Sequence, residues 1–116
     1  MESEATGTAR AEGQATVERW LERYVARDFD ALLGLVVDEP EERALIENLA
    51  KGLPADFKVL GARVRAVVTR SEDRAEALQE IRLEGDGESH ALVGWIDLER
   101  GDDGEWRLRP STIRRA

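Results

Sequence analysis

The sequence predicts an α+β fold, with three N-terminal helices packed on a curved, four-stranded antiparallel sheet. Apolar residues recur at helical spacing up to about residue 50 and, from Phe57 onward, at a period of two. The period changes only once, and helices segregated from strands give α+β rather than alternating α/β architecture. A third observation is the stretch Ser89–Glu99, which carries Leu92, Ile96 and Leu98 at one parity and Ala91, Val93 and Trp95 at the other. A sheet with one wet face alternates polar and apolar residues, so this strand is expected to be covered on both faces.

One domain is expected from 116 residues. Residues 1–13 mix Gly, Ala, Thr and Glu without large apolar residues and are expected to form a poorly ordered tail, leaving 14–116 as the domain. A first helix is predicted over 14–27, where Val17, Trp20, Leu21, Tyr24 and Val25 make one stripe. Its charges pair poorly along the helix, so packing must hold it. Asp28 is placed to cap a second helix carrying Phe29, Leu32, Leu33, Val36 and Val37. Pro40 suits the first position of a third helix, with Ala44, Leu45, Leu49 and Ile46 on its buried side and Gly52 and Pro54 at its end.

In the first strand Leu60, Ala62, Val64, Ala66 and Val68 are expected on one face, with Gly61, Arg63, Arg65, Val67 and Thr69 on the other. Ser71-Glu72-Asp73 turns the chain. Ala75, Ala77, Ile81 and Leu83 mark the buried face of the second strand, and Gly85-Asp86-Gly87 is a hairpin signal before the third. A last strand, Trp106–Arg109, is expected to end before Pro110. Gly61 and Gly94, inside strands, are expected bulge or bend points.

Composition excludes several functions. The formal net charge of −8 repels phosphate backbones and anionic lipid, so neither nucleic acid nor a membrane surface is an expected partner. No apolar run approaches the ~20 residues of a membrane span, and the acidic N-terminus lacks the apolar core of a signal peptide. A cytoplasmic location is the expectation. With no cysteine and one histidine, there is no disulfide, thiolate nucleophile or Cys/His metal site, and no cofactor is implied.

The pattern resembles the NTF2-like superfamily, the cone-shaped fold of ketosteroid isomerases and SnoaL-type polyketide cyclases. Two segments carry the resemblance: Val17-Glu18-Arg19-Trp20 through Arg27-Asp28-Phe29-Asp30-Ala31-Leu32 to Val37-Asp38, with Arg27 where glycine is common, and Gly104-Glu105-Trp106-Arg107-Leu108. Asp38-Glu39-Pro40-Glu41-Glu42 and Pro110-Ser111-Thr112-Ile113 are also similar to the NTF2-like N-terminal domain of penicillin-binding transpeptidases, which serves as a spacer. The ketosteroid isomerase resemblance implies that Asp97 stands where that family carries a protonated pocket acid. It also implies that the family's catalytic tyrosine falls at Trp20, with Tyr24 one turn later, and that helix 39–52 replaces the segment supplying the base.

Asp97, with Tyr24, is therefore the candidate catalytic pair. Desolvation between Trp95, Ile96 and Leu98 would raise a carboxyl pKa into a useful range. The competing and favoured reading turns Asp97 away from Ile96 and Leu98 to pair with an arginine of a neighbouring strand. Trp20, Tyr24, Phe29, Trp95 and Trp106 are the candidate pocket residues, for which a small apolar ligand would be the partner; their alternative role is ordinary core. His90 lies beside a turn and is expected to be solvated. Glu39, Glu41 and Glu42 are read as first-turn acids on a solvated helix face, not metal ligands. Two functional classes result: a non-catalytic binding or interaction module, which is favoured, and a small-molecule isomerase, cyclase or hydrolase using Asp97. A homodimer through the doubly apolar sheet is expected in either case.

Overall fold

Helical spacing and strand spacing each produce the expected kind of element. The computed structural model describes residues 4–52 and 58–116. Helix α1 spans Glu4–Val25, α2 Phe29–Leu33 and α3 Pro40–Gly52; strands follow as β1 Lys58–Ser71, β2 Arg74–Gly85, β3 Glu88–Arg100 and β4 Trp106–Arg115. The four strands form one antiparallel meander in the order β1-β2-β3-β4. Pro54 and Phe57, expected at the helix stop and the strand onset, lie outside the described residues. No helix among the described residues is long and apolar enough to cross a membrane.

α1 begins about ten residues before its large apolar stripe, so residues 4–13, expected as a loose tail, are helical. Alanine is the best helix former, and Ala9, Gly13 and Thr16 extend the stripe backward as small buried residues. A Cβ on Gly13 would sit 3.9 Å from Val67 Cγ1, so the helix lies close against β1. Glu12 completes the docking by accepting a 2.9 Å hydrogen bond from the Trp106 indole.

The joint after α1 has a specific geometry. Arg27 adopts φ 57, the left-handed conformation that glycine enters without steric cost. Asp28 N donates to Arg23 O and Arg27 N to Tyr24 O, each at 3.0 Å, the paired bonds of a Schellman stop. Asp28 then caps α2 as expected, accepting from Ala31 N at 3.2 Å. α2 is shorter than its apolar spacing suggests, because Gly34 closes it. Leu35 still belongs to the closing turn, and Val36 and Val37 lie outside the helix. Val36 forms an isolated parallel bridge to Leu108, with Leu108 N bonded to Leu35 O at 2.8 Å and Val37 N to Leu108 O at 2.9 Å.

The buried face of α3 also differs. Glu42 (1% exposed) and Ile46 are buried and Leu49 is half-buried, whereas Ala44 and Leu45 are exposed. Glu42, expected on a solvated face, accepts from Ser111 N at 2.8 Å and Ser111 Oγ at 2.9 Å, with Arg109 Nη1 at 3.7 Å. A buried carboxylate persists when its oxygens are hydrogen-bonded in this way, and this one fastens α3 to the edge strand.

β1 departs from strict alternation through register shifts between Val59 and Gly61, Val64 and Ala66, and Thr69 and Ser71. Each extra residue reverses the parity. Val59, Ala62, Val64 and Val67 therefore pack on the core side, and Ala66 and Val68 share the outer face with Leu78 and Glu76. Gly61 marks the first shift, as expected. The two-residue Asp86-Gly87 loop has φ 52 and 78, a type I′ hairpin. β4 does not stop at Pro110. It is an edge strand, where the missing N–H is tolerated, and a register shift next to it is bridged by Thr112. The Thr112 hydroxyl donates to Arg109 O at 2.6 Å and accepts from Asp97 N at 2.9 Å.

Candidate functional site

Parity along β2 and β3 decides what faces the helices. Ala75, Ala77, Gln79, Ile81 and Leu83 of β2 lie on the inner face, opposite Leu98, Ile96, Gly94, Leu92 and His90 of β3. The inner face is sealed at one end by Leu98, Ile96 and Trp106 under α1. Toward the other end it opens into a cavity of about 730 Å³ between α1, α3 and the sheet. α1 contributes Trp20 and Tyr24, α3 contributes Leu45, Ile46 and Leu49, and β2 contributes Gln79 and Ile81. Residues 91–94 of β3 and Pro110 with 113–116 at the end of β4 complete the wall. This volume lies within the ~300–1,000 Å³ range of small-molecule sites, which likewise combine apolar walls with few polar groups.

The polar groups of the wall are unusual. Trp20 is 2% exposed and Gln79 is 4% exposed, and neither the Trp20 Nε1 donor nor the Gln79 Oε1 acceptor has a hydrogen-bond partner. Buried polar atoms without partners are rare, because each forfeits its hydration for nothing. The Tyr24 ring leans on Trp20, with centroids 6.5 Å apart and planes at 38°. Burial raises the Tyr24 pKa, partly opposed by Arg27, so its hydroxyl is neutral at physiological pH.

Asp97 is not in this cavity. Ile96 and Leu98, at 0% and 1% exposure, occupy the inner face, so the residue between them points outward. Its Oδ1 accepts from Arg114 Nη1 at 3.1 Å, and Arg114 Nη2 reaches Glu76 Oε1 at 2.8 Å. The structure therefore separates Asp97 from Tyr24 by the thickness of the sheet and provides the arginine partner of the favoured reading. Trp95 shares the outer face, opposite Leu78. Trp106 is core, and Phe29 packs against the core from α2. Of the five predicted pocket residues, Trp20 and Tyr24 line the cavity. His90 is largely exposed, with Nε2 3.5 Å from Glu88. Gln79 is the residue that the sequence reading passed over, although it is a polar side chain at an inward position between Ala77 and Ile81.

Around the β4 edge, Arg109 forms a fork on Glu39, with bonds of 2.9 and 3.0 Å, while its Nε meets Glu99 at 2.9 Å. These bonds, Glu39's first, raise the Arg109 pKa further above its ordinary value. They tie α3 to β3 and β4 and have a structural role. Among the described residues, no three acidic, histidine or cysteine side chains gather as a metal site.

No family model matches the sequence, and no curated protein matches it. Solved structures do match. A ketosteroid isomerase-like protein from Erwinia carotovora atroseptica SCRI1043 superposes with a TM-score of 0.67 at 14% identity, covering 85% of this chain and 89% of that one. The chain has an NTF2-like fold. A sec-c motif containing protein from Psychrobacter arcticus shows the same likeness, with a TM-score of 0.59 and 16% identity over 84% of this chain and 58% of that one. At such identities the likeness is one of fold. Within the NTF2-like cone, the cavity lies between the helices and the inner sheet face. Asp97, to which the family resemblance gave the pocket-acid position, lies on the outer face of β3.

Proposed function

We propose that this NTF2-like domain is a non-catalytic binding module that takes a small, largely apolar molecule in its cone cavity. The observation that carries the reading is the composition of the wall. Among the described residues lining it, those with an ionisable side chain are Tyr24, Arg114 and Arg115, and the Arg114 guanidinium is turned outward to Asp97 and Glu76; none has a carboxylate or imidazole side chain. An isomerase or cyclase needs a base within hydrogen-bond reach of the substrate and a donor for the developing oxyanion. Asp97, the acid of the enzymatic alternative, faces the other way and is bonded to Arg114, which favours binding over catalysis.

A thermal-shift screen of apolar small molecules on wild type and Asp97→Asn tests this. A compound present at a hundred times its Kd adds about 2.7 kcal/mol, which raises the Tm of a domain this size by roughly 10 °C. The expected result is stabilisation of both proteins without turnover. Absence of any stabilising compound counts against binding. Turnover by wild type that Asp97→Asn abolishes while staying folded would establish the enzyme instead.

We further propose that two copies pair through the outer face of the sheet. Ala66, Leu78 and Trp95 form a row across β1, β2 and β3 on that face, ending at Arg114 on β4. Opposite charges border the row, in the Arg63–Glu80 pair on one side and the Arg114–Glu76–Asp97 cluster on the other. A two-fold axis through such a face sets apolar on apolar with both signs of charge available to each copy. Sedimentation at tens of micromolar should give a dimer; a monomer of 13.0 kDa contradicts the proposal.

A further inference from the structure

Two side chains of the cavity wall each carry a buried polar atom without a partner, which points beyond a generic apolar ligand. The Trp20 indole N–H is a donor only, and the Gln79 amide oxygen is an acceptor. Both belong to side chains more than nine-tenths buried, both residues line the same cavity, and neither atom has a partner. We infer that the cavity takes an uncharged, largely apolar small molecule carrying a hydroxyl group, seated by the Trp20 indole N–H and the Gln79 amide. The inference rests on the binding reading above and adds the chemical class of the ligand.

The chemistry of the wall selects the class. Leu45, Ile46, Leu49, Ile81, Leu92 and Ile113 supply apolar surface for the body of the molecule. A hydroxyl is one group that both accepts and donates, so it can accept a hydrogen bond from the indole N–H and donate one to Gln79 Oε1. It also serves if the Gln79 amide rotates, by accepting from the nitrogen. A carboxylate has only acceptor oxygens and meets Gln79 Oε1 as acceptor against acceptor. Its counter-charge would have to come from Arg114, already paired with Asp97 and Glu76, or from Arg115, which is exposed and screened by water. A ligand with a hydroxyl group satisfies the two atoms and fills the apolar space as well.

The test uses three probes of one shape: 1-naphthol, naphthalene and 1-naphthoate. The chain has three tryptophans, so a ¹⁵N-labelled sample gives three indole N–H signals, and Trp20→Phe assigns the one in the cavity. The expected result is a shift of the Trp20 signal on adding 1-naphthol and a Kd for it at least tenfold below that for naphthalene. Gln79→Leu should remove most of that advantage while leaving naphthalene binding intact, with Gln79→Met as a second apolar variant should leucine disturb folding. Equal affinity for 1-naphthol and naphthalene overturns the hydroxyl inference and leaves the binding reading standing. Tightest binding by 1-naphthoate overturns it in favour of an anion site. Failure of all three probes to move the Trp20 signal overturns both.

Discussion

Replacing Glu42 should destabilise the fold far more than its place in the first turn of a helix suggests. The carboxylate is 1% exposed and accepts two hydrogen bonds from Ser111, at 2.8 and 2.9 Å, with Arg109 a further 3.7 Å away. Hydrogen bonds to charged groups contribute about 1.5–3 kcal/mol each. Ser111 itself is exposed, so water recovers part of what its donors lose, and the lower end of that range applies. Glu42→Ala is therefore expected to cost about 3 kcal/mol, or roughly 12 °C in Tm for a domain of this size. Glu42→Gln keeps the shape and one acceptor and should cost about 1–2 kcal/mol; Ser111→Ala, losing the hydroxyl bond alone, should cost about 1 kcal/mol. A double-mutant cycle on the pair should show coupling of about 1 kcal/mol, measured by urea unfolding with two-state analysis. α3 carries Leu45, Ile46 and Leu49 of the cavity wall, so Glu42→Ala should also weaken any cavity ligand. If Glu42→Ala changed stability by less than about 0.5 kcal/mol, as ordinary surface substitutions do, the docking of α3 on β4 described here would be wrong.

Arg27→Gly should stabilise the protein by about 0.5–1 kcal/mol, because relief of the left-handed strain at φ 57 outweighs glycine's entropy; a lower urea midpoint would contradict the Schellman joint. Gly94→Ala should destabilise by about 1–3 kcal/mol, since its Cβ would stand 2.7 Å from the Arg114 carbonyl oxygen, and an unchanged midpoint would refute that close approach. Tyr24 is the single tyrosine, so phenolate absorbance near 295 nm reads it alone. Burial raises its folded pKa above the ordinary phenol value of 10.0. Its contribution to stability is thus complete below about pH 10 and lost as pH rises through the folded value, because the unfolded chain releases the proton first; titration at or below 10 would refute the burial.

The alternation of β2 and β3, the hairpin signals and the Asp28 cap were readable because each is a local rule with a strong residue preference. The rest failed for identifiable reasons. The first turns of α1 bury Ala9 and Gly13, small residues that a search for large apolar side chains passes over. Gly34 did carry a stop signal for α2, but Val36 and Val37 continued the helical spacing and masked it. The register shifts of β1 reverse the faces of Val67 and Val68 with only Gly61 as a local sign. Glu42 was counted by charge and Gln79 by polarity, while their burial depends on Ser111 and on the cavity, neither of which is near in sequence. Asp97 was ambiguous for a sharper reason. A one-residue choice of parity moves it through the sheet, and the family resemblance favoured one side while the alternation of Ile96 and Leu98 favoured the other.

The space between Trp20, Gln79 and α3 is the proposed binding site. Leu45 is exposed, yet it lines that space, so Leu45→Trp should occlude the cavity with little effect on folding. Calorimetric titration of 1-naphthol, or of a stabilising compound from the screen, into wild type and Leu45→Trp tests the claim directly. Wild type should bind saturably, and the variant should show at least a tenfold weaker Kd at unchanged stability. Equal affinity for the two proteins would place the ligand elsewhere and contradict it.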